Sequence, residues 1–346
     1  MPFTLVALLA STALIPQAEP ARELDRFLKR FIGFADSDIQ ALDRGQVVVK
    51  MLKTDLDREI AVFGAVWIDA PPSLYVERSK DIESFEKGGG FLLTKAVSSP
   101  PTLENFDALQ ISDEDLKDLR NCKLGDCEIK VSAPLLERLQ TEVKWNAPDH
   151  RQKVNAILSQ AALDYFLAYQ RGGNQELAIY RDQKRPTFIA EEFGSMVEKS
   201  DFLPIYLPEF HRYLLDYPKA TLPGATDVFY WQTVDFGLKP VTRLNHLTVY
   251  RAPLDVEAYA VASKQLYANH YFHTALELRF LIRDRRRPEA AGFYFLNLNR
   301  SRSDGLTGFT GALLGRTIRN KTRDGMETAM AAVKKRMEED YRQRNR

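Results

Sequence analysis

Gly308–Glu339 reads GFTGALLGRTIRNKTRDGMETAMAAVKKRMEE, and what this segment lies against decides the fold. Met326, Met330, Val333, Met337 and Tyr341 recur at steps of four, three, four and four, while Lys334, Lys335, Arg336 and Glu338 fall mostly elsewhere. That spacing predicts a long amphipathic helix with one apolar stripe, extended upstream by Leu313, Leu314 and Ile318. Gly308, Gly311 and Gly315 either allow a close backbone approach or loosen the helix start.

The segments before it supply a partner. Asp227–Gln232, Val241–Arg251, Ala258–Ala268, His273–Arg283 and Gly292–Arg300 read as strands separated by Gly, Pro, Asp or charge clusters. In Ala275–Arg283 (ALELRFLIR), Leu276, Leu278, Phe280 and Ile282 alternate with Ala275, Glu277, Arg279, Leu281 and Arg283, which predicts one dry face and one mostly wet face. Consecutive strands without intervening helices argue for an antiparallel meander, and its oily face needs a cover. Farther out, Gln46–Leu52 and the doubly apolar Glu59–Asp69 are strands, and Pro71-Pro72 stops the second and opens a helix over Ser73–Phe85. Gly88-Gly89-Gly90 precedes a strand, FLLTKAV, and lacks a Lys-Ser/Thr signature, so it reads as a turn and not a phosphate loop. Pro100–Trp145 is polar and acidic, with Ser112 set to cap a helix. Pro148–Arg171 carries a broad apolar stripe through Val154, Ile157, Leu158, Ala161, Phe166 and Leu167. Ala21–Gly33 reads as a short helix and Glu176–Tyr180 as a strand.

The order of these pieces, carried by GAVWIDAPPSLYVERSKDIESFE (Gly64–Glu86), DVFYWQ, FYFLNLNRSRS (Phe293–Ser303) and GALLGRTIRNKTRDGMETAMAAVKKRM (Gly311–Met337), resembles the START-like helix-grip fold of lipid-transfer domains and polyketide cyclase-like proteins, the SRPBCC type. The resemblance covers roughly two-thirds of the chain and includes no catalytic signature; the segment from about 100 to 218 departs from it as a helical, cysteine-bearing insertion. It implies one elaborated α+β domain from residue 19 onward, an antiparallel sheet wrapped on the long C-terminal helix, with an apolar cavity between them. Such a cavity would bind a lipid or another hydrophobic small molecule, with Trp231, Tyr230, His246, Tyr250, Tyr267, His270, Tyr271, Phe280, Phe295, Leu314 and Ile318 as wall or anchor residues. The other aromatics in the same span, Phe229, Tyr259, Phe272 and Phe293, fit ordinary core packing equally well. No cofactor is implied.

Composition agrees with a globular protein: 45% hydrophobic and 27% charged residues rule out wholesale disorder. The formal charge of +1 gives no global attraction to nucleic acid. Its distribution is uneven, because Arg279–Arg346 holds 17 Lys and Arg against 8 Asp and Glu, an excess of +9 that leaves −8 on the rest. The basic quarter either pairs with the acidic remainder or touches an anionic membrane surface. The apolar run Phe3–Ile15 predicts a secretory signal cleaved after Ala18, and hence an exported, periplasmic or secreted protein. Cys122 and Cys127, five apart around Gly125-Asp126, predict a local structural disulfide in that compartment.

Chemistry is sparse. HExxH, GxSxG, P-loop and dinucleotide fingerprints are missing. In Asn269-His270-Tyr271-Phe272-His273 the two histidines would share a helical face, as a metal pair does, but oppose each other on a strand, which is the expected state here. The cluster leaves three readings open: an enzyme of cyclase or hydrolase type using His270, His273 and Tyr271, a polar anchor for a head group, or histidines hydrogen-bonded at a strand end. The carboxylate pairs Glu191-Glu192 and Glu338-Glu339 read as solvated, and Arg283, Arg285, Arg286 and Arg287 as a turn before Pro288, either a solvated hairpin tip or a grip on phosphate head groups or a membrane surface.

Overall fold

The computed structural model describes residues 23–284, 291–304 and 308–345, with side chains from 315 and then 317 onward in the last stretch. The apolar N-terminal run, Arg285–Arg287, and the side chains of Leu313 and Leu314 lie outside the described residues.

The chain is α+β. Short helices α1 (Glu23–Phe27, continued by a π turn to Ile32) and α2 (Asp36–Asp43) precede strands β1 (Val48–Met51) and β2 (Glu59–Ile68). Helices α3 (Pro72–Lys80) and α4 (Ile82–Phe85) lead to β3 (Phe91–Val97). The insertion follows, with α5 (Asp113–Asn121), α6 (Ala133–Glu142), α7 (His150–Gly172), the small hairpin β4 (Ile179–Tyr180) and β5 (Thr187–Phe188), α8 (Ile189–Glu198), α9 (Leu203–Tyr206) and α10 (Pro208–Asp216). Strands β6 (Thr226–Val234), β7 (Val241–Arg251), β8 (Ala258–Ala268), β9 (Phe272–Arg283) and β10 (Phe293–Ser303) then run to α11 (Gly308–Arg344). The large sheet has eight strands in the order β1-β2-β10-β9-β8-β7-β6-β3, antiparallel throughout, so the front and back of the chain share one sheet.

A C-terminal helix against a large antiparallel sheet is what the helix-grip resemblance implies. Its placement is more specific than the sequence foretold, because α11 runs along β1 and β2 at one side of the sheet. Gly64 contributes to the fit: a Cβ there would stand 3.0 Å from Met330 Cγ and 3.1 Å from Met326 Cγ, tight enough that the methionines would have to shift off the strand. Lys334 Nζ donates to Trp67 O (2.7 Å), and Glu338 Oε1 accepts from Asp69 N (3.0 Å). Upstream of Met326 the helix projects with Thr317, Asn320, Lys321, Arg323 and Asp324 exposed.

Alternate residues of each strand build two cores. Toward α3, α4 and α11 lie Val62, Val66, Tyr230, Leu247, Val261, Leu281, Phe293 and Phe295 with Met326, Met330 and Met337. Toward α1, α2, α7, α8 and α10 lie Phe63, Phe229, Trp231, Leu244, Tyr250, Leu276, Leu278, Phe280 and Leu296 with Phe166, Tyr169, Phe193 and Phe210. The insertion has a third core, in which Leu116, Leu119, Leu136, Leu139, Val154 and Ile157 surround the Cys122–Cys127 disulfide.

Two sequence expectations need correction. The alternate face of β9 is not wet, because helices cover the sheet on both sides: Arg279 is buried and bonds Glu277 (2.6 Å) and Glu86 (3.3 Å), with Asn297 donating to Glu277 (2.7 Å). The carboxylate pairs are only half solvated: Glu191 and Glu339 are exposed as expected, but their neighbours are paired. Glu192 binds Arg302 (2.9 Å) and Arg58 (2.6 Å), and Glu338 holds Lys334 (2.6 Å). Much of the basic C-terminal quarter is thus paired internally, since Arg300 and Arg302 also share Glu59 and Arg344 takes Glu77.

Candidate functional site

The sequence-predicted aromatic wall does not line one cavity. Period-two alternation sends Tyr230 and Phe295 to the α11 side and Trp231, Tyr250, Tyr267 and Phe280 to the insertion side. Trp231 donates to Asn105 O (2.9 Å), Tyr250 stacks on Phe210 with ring centroids 5.9 Å apart, and Phe280 meets Phe202 edge-on at 5.8 Å. Tyr230 bonds Ser263 (2.9 Å). Ile318 is half-buried on α11.

The histidine cluster is also divided. His270 Nε2 faces Asp115 Oδ1 (3.0 Å) and its Nδ1 faces Glu128 O (3.2 Å), tying the β8–β9 turn to α5. His273 Nε2 faces Asp304, whose carboxylate also takes the buried Lys130. Tyr271 adopts a left-handed φ of 55° and accepts the Lys239 amide on its hydroxyl (3.1 Å). The three side chains therefore make three different polar contacts, although the His270 and Tyr271 rings lie with centroids 5.7 Å apart. Among the described residues no group of three or more His, Cys, Asp and Glu side chains is placed to hold a metal ion.

A sizeable open volume lies on the insertion side. Between α5, α6, α7, the β4 region and the edges of β7 and β8 is a cleft of about 630 Å³. Its walls are mostly apolar: Leu109, Ile111, Leu119, Ile129, Val131, Leu135, Leu158, Ala161, Leu177, Ile179 and Leu244. Each has a local cause. The apolar stripe of α7 spends Val154 and Ile157 on the insertion core and leaves Leu158 and Ala161 half-buried on the cleft wall, and the disulfide fixes the chain that leads to Ile129 and Val131. Two phenols close the floor with their polar ends consumed: Tyr165 donates to Leu266 O (2.8 Å) and accepts from Ala178 N (3.0 Å), and Tyr267 donates to Lys130 O (2.6 Å). Burial pushes both phenols above their ordinary pKa, so they line the cleft as neutral groups. Arg181 and Glu176 stand exposed at the rim. Of the residues singled out from sequence as ligand contacts, Tyr267 is the one on this surface.

His246 belongs to a separate, deeper arrangement. Lys264 on β8 is buried, and its Nζ reaches Tyr169 Oη (3.2 Å) and Asn174 Oδ1. Tyr169 Oη is 3.0 Å from His246 Nδ1, and His246 Nε2 is 2.9 Å from Asp227 Oδ1. Tyr213 and Thr248 donate to the Asp227 carboxylate at 2.6 and 2.8 Å. Burial lowers the pKa of His246 against the opposing pull of Asp227; burial raises that of Asp227, which is nonetheless held low because His246, Tyr213 and Thr248 outweigh the desolvation. The sequence held a signal for this group. On the face set by Ala258, Ala260, Ala262 and Leu266, a lysine at 264 breaks an apolar alternation.

No family model, curated protein or solved structure matches this chain.

Proposed function

We propose that this chain binds a lipid or another hydrophobic small molecule, holding it in the cleft between the insertion and the sheet as an exported carrier or sequestering protein. One observation carries the reading: a 630 Å³ cleft with mostly apolar walls, whose two lining phenols are already hydrogen-bonded internally. Cavities of about 300–1,000 Å³ suit small molecules. Each Å² of hydrocarbon removed from water there stabilises the complex by about 25 cal/mol. The site lies opposite the α11 side, where a helix-grip cavity was expected, because Gly64 brings the α11 methionines onto the sheet itself. The disulfide is compatible with export, and no described helix is long and apolar enough to cross a membrane. In this reading the exposed Lys321 and the neighbouring Arg319 contribute a contact with an anionic membrane surface.

Native mass spectrometry of the purified protein, paired with titration of a fluorescent fatty acid, tests the reading. We expect a bound lipid or saturable uptake, reduced at least about tenfold (about 1.4 kcal/mol) by Ala161→Trp, which fills the cleft. Neither lipid nor uptake in the unaltered protein, or uptake indifferent to Ala161→Trp, would remove the basis for it.

A further inference from the structure

Three charged residues line the cleft, Asp115, Glu176 and Arg181, and they are not equally free to meet a guest. Asp115 is consumed: its Oδ1 faces His270 Nε2 (3.0 Å) and its Oδ2 accepts from Asn269 Nδ2 (3.2 Å). The Asn269 amide is fixed in turn, because its oxygen accepts from Thr242 N (2.8 Å). Glu176 lies at the rim, but its carboxyl end folds back over Gly172, where a Cβ would stand 2.5 Å from Glu176 Cγ and 2.7 Å from its Oε1. Gly172 ends α7, beyond the Leu158, Ala161 and Tyr165 stretch that walls the cleft.

Arg181 differs from both. Burial alternates along Ile179–Asp182: Tyr180 and Asp182 are buried, while Ile179 and Arg181 are exposed along the cleft. The backbone there is held on both sides. Arg181 N donates to Val131 O (3.1 Å), Arg181 O accepts from Gly125 N (2.7 Å) in the disulfide loop, and Asp182 O accepts from Cys127 N (3.0 Å). The root of the arginine is thereby fastened to the wall that carries Ile129 and Val131. The carboxylate next to it in sequence, Asp182, is taken by the buried Lys130 (3.2 Å). Among the described residues no carboxylate lies within 4.0 Å of the Arg181 guanidinium. Lys184 and Arg185, exposed in the turn that follows, add charge of the same sign. An apolar trough therefore ends at an unpaired, planar cation whose N–H fork matches a carboxylate or a phosphate.

We propose that the guest of the cleft is a single-chain amphiphile with an oxyanion head, a carboxylate or a phosphate monoester, its chain along Leu135, Leu158 and Ile179 and its head on Arg181. The inference rests on the cleft-binding reading above and adds to it the class of guest. A volume of about 630 Å³ suits one small molecule. A neutral head gains the apolar contact alone, and a cationic head is repelled at the rim.

Displacement of N-phenyl-1-naphthylamine, a neutral apolar fluorophore, from the full chain by dodecanoate, dodecyl phosphate and dodecanol is the test, with chain length held constant. We expect an oxyanion to bind at least about fivefold tighter than dodecanol, the upper end of what an exposed ion pair contributes, and the tighter of the two oxyanions identifies the head. Arg181→Gln should bring it to within about twofold of dodecanol and leave dodecanol unchanged, whereas Arg181→Lys should keep part of the difference. Exchanging Lys184 and Arg185 together for Gln should reduce the preference less than Arg181→Gln does. A preference that survives Arg181→Gln overturns the proposal. Displacement by all three compounds alike, lost in Ala161→Trp, overturns it too and leaves cleft binding standing. Displacement by none of them removes the cleft reading and this inference with it.

Discussion

On the α11 side of the sheet, Gly64 removes a side chain so that Met326 and Met330 settle onto β2, and the space between helix and strand is filled by the protein itself. On the opposite side, α7 spends its most buried residues on two cores and leaves Leu158 and Ala161 along an unfilled cleft. The same strands supply both faces, so composition does not distinguish them. What differs is the cover. Flexible, unbranched methionines adapt to a flat strand surface, whereas an insertion tied by a disulfide and pinned through His270–Asp115 stands off from the sheet. Room for a guest arises where the cover is rigid and held at its ends.

Substitutions can break or sharpen that contrast. The largest effect is expected at the filled face: Met330→Ala should cost about 2–5 kcal/mol in urea unfolding while leaving fatty-acid uptake unchanged. A variant with normal stability would show that the helix is not seated as described. Next, replacing Cys122 and Cys127 by Ser should cost about 2 kcal/mol by loop-entropy bookkeeping. Hydrogen exchange should then rise in α5 and α6 and stay unaltered in β2 and α11, whereas uniform loosening would deny the insertion a core of its own.

The third effect is a slope. Because burial depresses the folded-state pKa of Lys264, the unfolded chain binds the extra proton between that value and about 10.4, and stability rises with pH across this window. Each unit of depression contributes about 1.4 kcal/mol, and Lys264→Met should flatten the rise. An unchanged pH profile would mean that the lysine is charged in the folded state. The smallest expected change in stability is at the open face, where Ala161→Trp should stay within about 1 kcal/mol of the parent while abolishing uptake, because the added ring enters existing space. A loss of several kcal/mol would mean that the cleft was already packed.

Much of the fold was legible because strands announce themselves locally. Val241–Arg251 and Ala258–Ala268 are bounded as their sequence predicts, and Phe91–Val97 emerges from the glycine turn as a strand. The Ser112 cap and the Cys122–Cys127 bridge were likewise set by short-range chemistry. Helix α6, from Ala133 to Glu142, went unread although Ser132 caps it, Pro134 opens it and Leu136 and Leu139 set its buried face. The site was much less legible. Alternation on β6 could have warned that Tyr230 and Trp231 face opposite ways, and Lys264 stood out against Ala260, Ala262 and Leu266. Nothing local revealed that Asp115 would capture His270, 155 positions away, or that α5, α6 and α7 would frame a cleft over Leu244 and Tyr267, since those contacts join segments distant in sequence.

Photo-crosslinking a diazirine fatty acid to the unaltered protein and mapping the labelled peptides addresses the location of the guest most directly. The account predicts labels on the peptides bearing Leu135, Leu158 and Ile179. Labels concentrated on the α11 peptide from Met326 to Met337 would contradict it.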